Sequence, residues 1–209
     1  MAHDQSLLRQ VIETEWEMFR TVNGDRYVSC QEDPETFAGM RAAQFRAWPA
    51  EALESYAEDL ARAKAEGRNL LREKYIRMMR STEPDTYALL VGELPETTPE
   101  QEALAEEIWQ IQLPQTKKLR ELYPLVMQGA RPLLISEERG WSSVEGYQKS
   151  ELLTYSAKTL WALLTYIRAL AQEGRSFAEE LETNTLSFYG FHTIAEAEAQ
   201  MRRRAQADG

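Results

Sequence analysis

The chain has 209 residues, 43% of them hydrophobic and 28% charged, which suits a globular protein large enough to bury a real core. Its 34 acidic and 24 basic residues leave a formal charge of −10, which argues against nucleic acid as a partner, because neutralising phosphates over a broad surface needs a basic face. No apolar run approaches the roughly 20 residues of a membrane-spanning helix. The single cysteine, Cys30, leaves no internal disulfide. With no signal-like pattern in Met1 to Ser6, this reads as a cytoplasmic protein.

Apolar residues recur along the chain at three- and four-residue steps, which predicts helices and no strands. Asp4 or Ser6 caps a first helix running to about Val22, with Leu7, Leu8, Val11, Ile12, Trp16, Phe19 and Val22 on its apolar side. Asn23-Gly24-Asp25 ends it, and a polar connection from Arg26 to Glu32 follows. Asp33-Pro34-Glu35 places a capping residue before a proline at the first helical position. The second helix then carries Phe37, Met40, Phe45 and Trp48 on its apolar side. Pro49 breaks it and opens a third helix to Glu66, stopped by Gly67.

A fourth helix is expected from about Asn69 to Arg80, then a short one carrying Tyr87, Leu89, Leu90 and Leu94. Pro95 to Pro99 reads as a linker. The helix after it, through Ile108, Trp109 and Ile111, is expected to kink or break at Pro114 and resume to Gly129. Ser143 to Gly174 is expected to be one long helix, apolar almost all round between Leu152 and Ile167. Such a helix should be central, with Trp161 and Leu163 buried in it. Ser176 to Glu179 and Thr193 to Glu196 have the pattern of capping boxes for the last two helices. The expectation is an all-α bundle forming one helical domain over 1–209.

Laid on itself at an offset of about 107 residues, the chain pairs without gaps: Gly39 with Gly146, Trp48 with Tyr155, Gly67 with Gly174. This pairing suggests two pseudo-repeated helical halves, about 4–94 and 98–207, with a ligand site in the seam between them.

The segments Glu15 to Phe19, Ser29 to Gln31, Thr36 to Trp48, Glu66 to Leu70, Glu151-Leu152, Lys158 to Leu160 and Asn184 to Gly190 occur in this order along nearly the whole chain. In them the chain resembles a bacterial family of proteins of unknown function, the one catalogued as number 4125. The family has no established reaction, so the resemblance implies no activity.

The candidate site is the polar connection Ser29-Cys30-Gln31 with Arg41 and Gln44, which are three apart and so share a helix face. A hydroxyl, a thiol and an amide beside an arginine suit a small anionic or amide-bearing ligand. The same groups also suit helix capping, with Cys30 as a small apolar filler. Arg68, after the helix stop at Gly67, is a further ligand-binding candidate; a Gly-Arg at a helix end also serves the terminal carbonyls. A nucleophilic Cys30 would need a base, and the chain offers only His3 and His192. Glu13 is the alternative catalytic carboxylate. With no Glu-x-x-His pair, neither metal nor cofactor is expected. Small-molecule binding or an accessory role is the favoured function; the alternatives are a helical protein–protein interaction module and an enzyme using the same pocket.

Overall fold

The structure, a computed structural model, describes residues 5–22, 33–138 and 141–207. Within them lie ten α-helices and two short 3-10 turns, and no strand. Helix α1 (Gln5–Phe19) is followed by α2 (Pro34–Arg46), α3 (Ala50–Ala65), α4 (Leu70–Thr82) and the short α5 (Pro84–Leu90). The long α6 (Pro99–Leu122) leads to α7 (Val144–Leu152), α8 (Ala157–Gln172), α9 (Phe177–Phe188) and α10 (Ile194–Ala207).

Most boundaries are set by residues close to them in sequence. Asp33 caps α2 by accepting from the Thr36 N–H at 2.9 Å, and Pro34 follows it. Thr98 and Gln101 form a reciprocal capping box at α6, again with proline at the first turn. Ser143, Ser156 and Ser176 cap α7, α8 and α9. Gly67 and Gly174 take φ of 70° and 72°, the left-handed conformation that lets a glycine close α3 and α8.

Three expectations are corrected. Pro114 neither breaks nor ends α6, which runs through it to Leu122. Buried side chains on both sides of the proline, from Ile108 and Trp109 to Leu119, hold the helix against α8 and α9 across the one missing N–H. Ser143 to Gly174 is two helices, α7 and α8, separated at Leu153 to Ser156. There the Thr154 hydroxyl donates to the Glu151 carbonyl at 2.7 Å, Tyr155 turns into the core, and Ser156 starts a new helix. Trp161, expected inside, is 45% exposed, because α8 buries the face made by Leu160, Leu163, Leu164 and Ile167.

Helix α1 lies on α2, α3 and α4, as α6 lies on α7, α8 and α9. Helix α2 runs along α9 and α7 along α4, while α3 and α8 pack on each other. Close approach of α2 and α9 is why position 39 is glycine: a Cβ there would sit 2.2 Å from the Phe188 ring. The main core joins α1, α3, α4, α6 and α8 through Val11, Leu53, Tyr56, Leu60, Leu71, Ile108, Leu160 and Leu164. A smaller one, around Leu119, Leu186 and Ala197, seats α10. None of the described helices is long and apolar enough to cross a membrane.

Candidate functional site

Where α2 meets α7, four ionised side chains are buried together. Arg41, on α2, donates from Nε to one oxygen of Glu15 at 2.6 Å and from Nη2 to the other at 2.5 Å. Its Nη1 donates to Gln44 at 2.7 Å and to Glu151 at 2.9 Å. Glu151, on α7, also accepts from Lys74 at 2.5 Å, Gln44 at 2.9 Å and the Tyr155 hydroxyl at 2.7 Å. The Tyr56 hydroxyl donates to Glu15 at 2.6 Å. Two cations and two carboxylates make the group neutral, and every one of them is buried.

Burial is expensive for each of these charges, and the partners repay it. Burial alone would raise the Glu151 carboxyl; the Arg41 and Lys74 charges, with hydrogen bonds from Lys74 and Tyr155, outweigh it and hold it well below the usual carboxylate range. Burial would likewise lower Lys74 and Arg41, but the adjacent carboxylates lift both. The Tyr56 and Tyr155 hydroxyls are pushed up by burial and by the carboxylates they serve, so both stay protonated donors.

Against this group lies a cavity of about 590 Å³ between α7 and α9, which both rest on α6, with α2 and α8 completing its walls. The lining is mainly apolar: Trp48, Ile108, Tyr155, Leu163, Ile167 and Phe177, all buried. Besides the Gln112 amide on α6, two further amide or carboxyl side chains in it have no hydrogen-bond or ionic partner among the described residues. One is Gln148 on α7, whose Oε1 is fully enclosed. The other is Glu182 on α9, whose carboxyl burial raises above its ordinary value with no charge to offset it. A smaller cavity of about 350 Å³ is lined by Phe37, Lys74 and Tyr147 among others, and Met40, Arg41 and Tyr147 face both cavities. The Tyr147 ring carries the Lys74 ammonium 3.6 Å from its centroid and the Arg131 guanidinium at 5.2 Å.

Of the residues singled out from sequence, Arg41 and Gln44 line the larger cavity and are tied into the charged group. Ser29, Cys30 and Gln31 lie outside the described residues. Arg68 is elsewhere, holding Glu73 through two hydrogen bonds at 2.8 and 2.9 Å and Glu66 at 3.0 Å. Glu13 is exposed on α1 and His192 is exposed before α10. No described group of three His, Cys, Asp or Glu side chains could hold a metal ion.

Sequence reasoning passed over Glu15, Lys74, Glu151 and Glu182, and reached Gln148 only as the residue paired with Arg41 at the offset of 107. A signal existed for the first two. Glu15 falls on the buried stripe Leu8, Val11, Met18, and Lys74 lies among buried Leu70, Leu71 and Ile76. A charge inside an apolar stripe implies a buried partner. For Gln148 the mark was its place opposite Arg41 in the internal pairing; Glu182 carried none.

The chain belongs to the family described as protein of unknown function DUF4125, whose model matches residues 5–199. No curated protein and no solved structure matches it.

Proposed function

We propose that this protein binds a small organic molecule in the cavity between α7 and α9, as a binding or accessory protein. The observation that carries the reading is an apolar, partly aromatic cavity of about 590 Å³ whose wall includes Gln148 and Glu182 with no described partner. A buried polar group left unpaired costs stability of about 1–3 kcal/mol, which a ligand supplying the missing bond recovers. The volume suits a molecule of about ten to twenty heavy atoms, within the usual range of ligand cavities. Arg41 is not free to take an anion, since its N–H groups are already committed to Glu15, Gln44 and Glu151. The acidic balance of the chain favours a small-molecule or protein partner over nucleic acid, and the lone cysteine favours a reducing cytoplasm.

The test is a thermal-shift titration with indole and with a panel of amides, amines, amino acids and carboxylates. It is run on the wild type and on Val144→Trp, which projects a large ring into the cavity from the start of α7. A ligand at about a hundred times its dissociation constant adds roughly 2.7 kcal/mol, a shift of several degrees. The expected result is stabilisation of the wild type by at least one class and none in the folded variant. No shift with any compound, or equal shifts in both proteins, contradicts the reading.

A further inference from the structure

We infer that the ligand of this cavity has an apolar body and a cationic nitrogen head, an amine or a guanidine, received by the carboxylate of Glu182 and the amide of Gln148. The inference rests on the cavity being the ligand site and concerns what the site selects.

The cavity's charges decide the sign. Arg41 and Glu151 belong to a neutral group in which each charge has a counter-charge: Glu15 and Glu151 answer Arg41 and Lys74. Arg131, the other cation of the lining, rests on the Tyr147 ring and donates to the Ser142 carbonyl at 3.1 Å. That leaves Glu182, a carboxylate among Leu181, Phe177 and Thr185 with no cation beside it among the described residues. Its raised carboxyl, with burial as the sole cause, agrees with that isolation. A cationic head would restore the favourable interaction that burial removed, and an anionic head would be repelled. Gln148, on α7 in the same lining, has its whole side-chain amide without a described partner, so nothing holds its orientation, and the amide turned about its last bond brings its oxygen out of its enclosed place to accept an N–H of the ligand. The Trp48, Tyr155 and Phe177 rings suit a flat or aliphatic body and tolerate an adjacent cation.

The test is calorimetric titration with three probes that share a phenylethyl body: 2-phenylethylamine, 3-phenylpropionamide and 3-phenylpropionate. Each is run on the wild type, Glu182→Gln and Gln148→Leu, with melting curves to show that the variants fold. The amine is expected to bind about tenfold or more tightly than the amide, as a charge-assisted bond implies, and the carboxylate least. Glu182→Gln should erase the preference for the amine, and Gln148→Leu should weaken the amine severalfold. Tighter binding of the carboxylate, equal binding of all three, or an amine affinity unchanged in Glu182→Gln overturns the inference while leaving the cavity as a ligand site. Binding of none of the three also overturns it, and the indole titration then decides whether the ligand site itself falls.

Discussion

Glu151 and Gln148 stand three residues apart on α7, one turn of the same helix, and their surroundings are opposite. Glu151 receives four hydrogen bonds from Arg41, Gln44, Lys74 and Tyr155. Gln148, in the cavity wall, receives none from the described residues, and neither does Glu182 of α9 in the same lining. The first environment is closed: its donors and acceptors are matched, so adding a ligand would break bonds already made. The second is incomplete: its amide and its carboxyl have no partner among the described residues. Polar burial alone therefore does not mark a binding site; a cavity whose wall keeps polar groups unpaired is the better candidate.

The largest effect should come from opening the closed side. Arg41→Leu leaves Glu15 and Glu151 buried without their shared cation, and removing one partner of a buried ionic group costs about 3–5 kcal/mol. Urea unfolding should report a loss of that size. A loss under about 1 kcal/mol would mean that water reaches the group, and the contrast with the cavity wall would disappear.

Acid should act on the same side. A carboxyl held below its unfolded value contributes stability that is present above about pH 4.3, the ordinary glutamate value, and is lost as pH falls towards its folded value. For Glu151, whose shift is downward, the loss belongs to the acid limb. Lys74, shifted upward, contributes below about pH 10.4 and loses its part as pH rises through its folded value. Stability against pH should thus be flat through neutrality and fall on both sides. In Gln44→Leu, which removes one of the donors to Glu151, the folded value should move up towards the unfolded one, so the acid fall should be smaller; a fall of unchanged size would mean that Gln44 contributes nothing to Glu151.

The smallest effects belong to the open side. Gln148→Leu and Glu182→Gln remove no described contact, so unfolding free energies should stay within about 0.5 kcal/mol of the wild type or rise. For Glu182 the sign follows from its raised carboxyl: the penalty of burying its charge is absent at low pH and grows as pH rises through the unfolded value. Glu182→Gln should gain most, relative to the wild type, at neutral and alkaline pH. A loss above about 1 kcal/mol in either variant would show that the side chain holds the fold together.

Much of the fold was legible because helix ends are written locally. Asp33-Pro34, Thr98-Pro99, Ser176 and Gly67 each act on residues within a turn of themselves, and the structure uses them as caps and stops. The division of Ser143 to Gly174 was not legible in that way. Besides Ser156, it depends on Asp59 of α3, which accepts from the Ser156 N–H at 2.9 Å and the Thr159 hydroxyl at 2.7 Å. Tyr155 adds its hydroxyl on Glu151. Nothing near Ser156 in sequence announces a capping carboxylate on another helix.

The site was legible in part. Arg41 and Gln44 read as a polar pair on one face, and that face does turn inward to the cavity. What the spacing could not give was the identity of their partners, because Glu15, Lys74 and Glu151 come from three other helices. Gln148 and Glu182 were less visible still. Their importance comes from the gap between α7 and α9, a property of how two helices lean on α6 and not of either segment alone.

The most direct test of this division is urea unfolding of the wild type and Glu182→Gln, each with and without saturating 2-phenylethylamine. The account predicts that the substitution leaves the unliganded protein as stable as before, or more so, while removing most of the stabilisation that the amine gives the wild type. A variant that is markedly less stable on its own, yet gains as much from the amine as the wild type does, would contradict it.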